Sequence, residues 1–131
     1  TYTVDGVAMA RYLVDRLPQG ADDVFTRAER GVDLLEAPTV AISEAIWTAV
    51  QKGEVAGVEI DTTPNAVLRG ILHDAPVRVS PADAQDLAVF ASLMGHHTLH
   101  DALLIANHRV RGTEAIVTND GEFAGEEAVW D

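Results

Sequence analysis

Apolar positions along this chain fall into short alternating runs separated by longer stretches with a helical period. The opening run Tyr2-Thr3-Val4 predicts a strand. Val7, Ala8, Ala10, Tyr12 to Val14 and Leu17 predict a helix that stops near Leu17, because Pro18 disfavours helix at the residue before it. After a turn at Gln19-Gly20, Ala21 to Arg30 form a second helical stretch closed by Gly31, and Val32 to Ala37 supply a strand before Pro38. Thr39 is placed to cap a third helix that runs to about Lys52, with Ile42, Ala45, Ile46, Ala49 and Val50 on one face and Gly53 as its stop. Glu54 to Ile60 fits a short strand or a loop.

Thr63-Pro64 opens another helix, which carries Val67, Leu68, Ile71 and Leu72, and Val77 to Val79 predict a strand. Ser80-Pro81-Ala82-Asp83 is the clearest helix start: Ser80 can cap, Pro81 suits the first helical position, and Asp83 can return a hydrogen bond. That helix ends near Gly95. A further helix runs from about Leu99 to Arg111 before Gly112, followed by a strand from Ala115 to Thr118, a loop, and a last strand at Ala128 to Trp130. Strands alternating with helices predict an α/β fold whose mostly parallel sheet is covered on both faces. Over residues 1–131 no linker, internal repeat or low-complexity tract interrupts the pattern, and 47% hydrophobic content can fill one core, so a single domain is expected.

Charge changes the picture. Twenty-one acidic residues face nine basic ones, a formal charge of −12, and Lys52 is the single lysine. Such a surface repels nucleic acid at low salt. It suits a salt-rich cytoplasm such as that of a halophilic archaeon, where the Debye length falls to about 3 Å at 1 M salt; an ordinary acidic protein with a basic partner is the alternative. The absence of cysteine removes disulfides and thiolate zinc sites. Apolar runs fall far short of the roughly 20 residues that cross a bilayer, and no basic region with an apolar stretch opens the chain, so a soluble, cytoplasmic protein is expected.

Candidate chemistry lies in acidic residues far apart in sequence: Asp5 after the first strand, Glu44 in the third helix, Asp101 opening a late helix, and Asp120 after the strand at Ala115 to Thr118. Active sites of open α/β sheets gather at the carboxyl ends of strands. Each acid has a plainer role as well. Asp5-Gly6 and Asp120-Gly121 are turn dipeptides. Thr98-Leu99-His100-Asp101 has the spacing of a capping box. Glu44 lies opposite Ile42, Ile46 and Ala49, where a glutamate is solvated. Together, however, such carboxylates suit a hard cation such as Mg²⁺ or Mn²⁺, and one or two such ions suit phosphodiester hydrolysis.

Val4-Asp5, Ser43-Glu44, His100-Asp101-Ala102, and Val117-Thr118-Asn119-Asp120 with Glu122-Phe123, in that order, resemble the motifs of the PIN-domain nucleases, among them the VapC-like toxins. The resemblance runs along almost the whole chain. It implies a three-layer α/β/α sandwich and a Mg²⁺- or Mn²⁺-dependent endoribonuclease, with Asp5, Glu44, Asp101 and Asp120 as the metal-binding acids and Glu122 as an accessory acid. It also implies RNA as substrate, a frequent homodimer and, in the toxin branch, an antitoxin protein that blocks the groove. A ribosomal-RNA processing factor would carry the same acids. The family commonly has Ser or Thr after the first aspartate, whereas this chain has Gly6, which motivates a second reading as a PIN-like binding module with weak catalysis.

Other chemistries lack their motifs. His96, His97, His100 and His108 have neither thiolates nor an H-E-x-x-H spacing to support zinc, although His100 beside Asp101 is a candidate phosphate contact. No glycine-rich nucleotide motif follows a strand, and the G-x-S-x-G elbow of serine hydrolases is missing. Arg11, Arg16, Arg27, Arg30, Arg109 and Arg111 are the candidate cations for RNA or a partner.

Overall fold

The computed structural model describes residues 1–119, 123 and 125–131. Its centre is a five-stranded, wholly parallel sheet formed by β1 (Tyr2–Val4), β2 (Leu35–Pro38), β5 (Val77–Ser80), β6 (Ala115–Val117) and β7 (Ala128–Val129), in the order β5-β2-β1-β6-β7. Between β2 and β5 the chain adds a small antiparallel hairpin of β3 (Glu54–Val55) and β4 (Val58–Glu59), in the stretch that the sequence left as strand or loop. The helices are α1 (Gly6–Leu13), α2 (Gln19–Glu29), α3 (Thr39–Trp47), α4 (Pro64–Arg69), α5 (Ala84–Leu93) and α6 (Leu99–Arg111). Wide, π-type turns at Thr48–Lys52 and Gly70–Asp74 extend α3 and α4. Among the described residues no helix is long and apolar enough to cross a membrane.

Strand alternation sorts the core into two layers. Val4, Leu35, Ala37 and Val117 pack on one face with Met9, Val24, Phe25, Ile42 and Ile71. Ile116 faces the other way and packs with Leu104, Ile105 and Leu93 of α6 and α5. The result is the expected three-layer α/β/α sandwich. Helix α3 belongs to both layers, since Ile42 and Ala45 join the first cluster and Ala41 the second.

Several boundaries depart from the pattern. Helix α1 ends at Leu13 because Asp15 takes a left-handed conformation at φ 56°. Strand β2 begins only at Leu35; Val32 and Leu34 are exposed, and Asp33 turns back to pair with Arg27 at 2.6 Å. Ser80 does not cap α5. It ends β5, and its buried hydroxyl donates to Asn107 Oδ1 at 2.9 Å. The cap is Asp83, whose carboxylate accepts from Gln85 N–H while Asp86 accepts from Asp83 N–H.

A buried polar layer fixes α6 against the sheet. Glu36, 2% exposed, accepts a forked pair of hydrogen bonds from Arg111 at 2.8 and 3.3 Å, with Arg78 at 3.5 Å. Asn107 donates to Pro81 O and to Asp86 Oδ2. His108 shares a 2.6 Å hydrogen bond with Thr113, which also meets Thr3, and its other ring nitrogen lies 3.3 Å from Glu126. Burial pushes the His108 pKa below its ordinary 6.5, with Arg109 acting in the same direction and Glu126 opposing both.

His108 is therefore neutral in the folded chain at pH values where the unfolded chain takes up a proton. Its contribution is fully present above pH 6.5 and is lost as pH falls through the window between 6.5 and the lower folded pKa. His108→Gln is expected to be less stable than the wild type at pH 7.5, with the gap narrowing as pH falls through that window in urea unfolding. An imidazole midpoint at or above 6.5 by NMR would contradict this assignment.

Candidate functional site

The strand order makes the site's location a matter of topology. The chain leaves β1 for β2 and β5 on one side and returns to β6 and β7 on the other, so the connections diverge between the carboxyl ends of β1 and β6. At that point lies a cleft of about 260 Å³ lined by Asp5, Glu44, His100, Asp101 and Asn119, with Gly6 and Val7 at its wall and Leu104 and Phe123 also lining it.

Asp5 follows β1 directly and begins α1. Its carboxylate accepts the Ala8 N–H at 2.7 Å, and its own N–H donates to Val117 O at 3.3 Å, so one residue ends a strand, caps a helix and lines the cleft. Where a turn was expected, Asp5 instead caps α1, and that role is compatible with its place in the cleft. Asp101 sits in the first turn of α6, where the helix dipole favours a negative charge. Thr98 supplies the cap by accepting the Asp101 N–H, and the Asp101 side chain lines the cleft.

Glu44 keeps a partly solvated place, as expected: its side chain is 37% exposed on the face of α3 that also carries the exposed Ser43 and Trp47, with α1 packed alongside. Glu44 Oε1 lies 3.6 Å from His100 Nδ1, which brings α3 and α6 together over the cleft. Gly6 makes this approach possible. A β-carbon there would lie 2.6 Å from Glu44 Cβ and 3.1 Å from the Ala41 carbonyl. Glycine at position 6 is a steric requirement of this packing.

The structure thus brings Asp5, Glu44 and Asp101 to one cleft, with His100 beside them. Asp120 and Glu122 lie outside the described residues. The expected arginines are mostly committed elsewhere: Arg27 pairs with Asp33, Arg109 with Glu126 and Arg111 with Glu36, while Arg11 lies over the Trp130 ring at 5.5 Å. Among the described residues, no three His, Asp or Glu side chains converge closely enough to hold an ion by themselves.

In three dimensions the chain is similar to the crystal structure of Mycobacterium tuberculosis VapC20, a Sarcin-Ricin loop cleaving toxin, with a TM-score of 0.63 over 95% of this chain and 94% of that one at 17% sequence identity. No family model and no curated protein matches the sequence. The likeness establishes the fold: the α/β/α sandwich is PIN-like.

Gly6→Ala tests whether the α1–α3 approach is as tight as it looks. The added methyl is expected to cost about 1–3 kcal/mol in urea unfolding, as overpacking does. A variant as stable as the wild type would mean that α1 and α3 separate freely at this point.

Proposed function

We propose that this protein is a divalent-metal-dependent endoribonuclease that hydrolyses RNA phosphodiester bonds in the cleft between β1 and β6. One observation carries the reading: Asp5 at the cap of α1, Glu44 within α3 and Asp101 in the first turn of α6 line the same cleft at the topological switch point. The PIN-like fold supports it.

The donor chemistry fits a hard cation, since carboxylates and the Asn119 carboxamide line the cleft and the chain has no thiolate. In this reading Asp5, Glu44, Asp101 and Asp120 hold Mg²⁺ or Mn²⁺, with Glu122 accessory. The bound ion supplies charge neutralisation at the phosphate and a lowered pKa for the attacking water. The protein's part is positioning. Asp5 is held by the Ala8 N–H, Glu44 by the Gly6 contact, and Asp101 by the capped start of α6. His100, when protonated, can donate to a phosphate oxygen beside Glu44. Leu104 and Phe123 add apolar surface that reduces the water around the scissile bond.

The similar fold of a Sarcin-Ricin loop cleaving toxin supports a toxin role here; an antitoxin partner and a homodimer belong to the same proposal through the motif resemblance. A ribosomal-RNA processing role would use the same cleft. The second reading, a binding module with weak catalysis, is favoured by the lack of a converging trio among the described acids. The acidic, lysine-poor surface fits work in a salt-rich cytoplasm.

Two measurements test this function. At high salt the wild type is expected to cleave structured or single-stranded RNA with Mn²⁺ or Mg²⁺, to stop with EDTA, and to lose at least about a hundredfold in rate as Asp101→Asn. Independently of turnover, Mn²⁺ at a hundred times its Kd is expected to stabilise the wild type by about 2.7 kcal/mol in thermal melts, and Asp101→Asn much less. A folded wild type with neither cleavage nor a metal-dependent shift in Tm would leave the binding module as the reading.

A further inference from the structure

The acidic cleft has a neighbour. A second hollow of about 570 Å³ shares Glu44 and His100 with it, and its other walls are Val40, Ser43, Trp47, Thr48 and Lys52. Val40, Ser43, Glu44 and Trp47 follow the i, i+3, i+4, i+7 spacing of one face of α3. The π-type turn Thr48–Lys52 then extends this wall to Lys52; such widened turns occur frequently at functional sites.

Two side chains here are unusual for this chain. Trp47 is 62% exposed, although an indole offers one of the largest apolar surfaces a protein can bury. Lys52 is the only lysine in a chain of net charge −12, and it is exposed; like Arg11, Arg16, Arg30 and Arg69 it is in no ion pair among the described residues, but of these it alone lines this hollow. An aromatic surface and a cation thus line one hollow that opens onto a cleft suited to phosphodiester chemistry.

We propose that this hollow is a nucleotide subsite for single-stranded RNA, in which a base stacks on the Trp47 indole while Lys52 and His100 meet the phosphates between that base and the scissile bond. The proposal rests on the ribonuclease reading and names the substrate form it takes. Stacking on an aromatic face is the usual way a single-stranded base is held without sequence preference, and a cationic flank is its usual companion. The volume is within the range of small-ligand sites. A peptide partner would want a longer apolar groove, and the apolar side chains here are Val40 and Trp47.

The test uses Asp101→Asn/Trp130→Phe protein in Mg²⁺, so that RNA is held uncleaved and Trp47 is the only indole. Octauridylate is expected to quench its fluorescence, and an abasic ribose-phosphate octamer is expected to bind more weakly without quenching. In the cleaving enzyme, Trp47→Ala is expected to raise KM for single-stranded RNA roughly five- to a hundredfold with kcat within about threefold, and Trp47→Phe to restore most of it. Lys52→Ala is expected to reduce the slope of log affinity against log salt by about 0.7. Equal binding of the abasic strand, or an unchanged KM in Trp47→Ala while the wild type cleaves, overturns the subsite and leaves the nuclease standing. Loss of a protein partner in Trp47→Ala with RNA affinity unchanged also overturns it. A wild type that neither binds nor cleaves RNA removes both.

Discussion

A β-carbon on residue 6 would lie 2.6 Å from Glu44 Cβ, so the first turn of α1 can meet α3 at this distance only because residue 6 is glycine. Much of the site follows from that contact. Strand β1 passes into α1 without a loop, with Asp5 as both strand end and helix cap. The next residue therefore lies against whatever crosses the carboxyl edge of the sheet, and small buried residues, Ala8 on α1 and Ala41 and Ala45 on α3, keep the two helices close. Glu44 is held beside Asp5 by this packing. A larger residue 6 would move the acid, not merely crowd it.

The other wall is positioned from its far end. Helix α6 carries His100 and Asp101 in its first turn, and Asn107, His108 and Arg111 are bonded near its last. Those bonds go to Asp86, Ser80, Thr113 and Glu36, so they tie α6 to α5, to β5, to the segment before β6 and to β2. Hydrogen bonds are directional, and a buried one left unmade costs roughly 1–3 kcal/mol, so rotating or sliding α6 would break several at once. Apolar packing through Leu104 and Ile105 would tolerate such a slip better. The polar layer at one end of α6 thus sets the orientation of the acid at the other.

Much of this was legible in the pattern of the chain. The apolar-polar run Tyr2 to Val4, the apolar run opening the expected strand Ala115 to Thr118 and the helical period from Leu99 to Arg111 each produced the element expected, with the second strand ending at Val117. What was not legible depends on contacts between distant residues. Ser80 has the local chemistry of a cap, but a buried bond to Asn107 claims its hydroxyl, and the Asp83–Asp86 pair three residues on held the alternative signal. Glu44 is part-solvated as expected, but a single helix cannot reveal that His100 of α6 lies 3.6 Å from its carboxylate. The Trp47–Lys52 wall was hidden for a related reason: a helix that widens into a π-type turn changes which residues share a face, and no local residue type announces the change.

A chain of charge −12 that takes RNA, as proposed, must engage a polyanion against its own charge. Four of its eight arginines, Arg27, Arg78, Arg109 and Arg111, serve carboxylates of the protein itself, and the acidic residues outnumber the rest. Long-range attraction is therefore absent, and affinity must come from contacts at the site. Phosphate contacts weaken as salt rises, each lowering the slope of log affinity against log salt by about 0.7 on a single strand, whereas stacking on an aromatic face carries no such counterion term. A protein of strongly negative charge that holds RNA by an exposed indole beside its acidic cleft, as proposed, would keep more of its affinity in salt. The same salt shortens the range over which its own carboxylates repel the incoming strand. On the proposed reading, in a salt-rich cytoplasm, screening would remove the repulsion and stacking on the exposed Trp47 would supply the hold that arginines supply elsewhere.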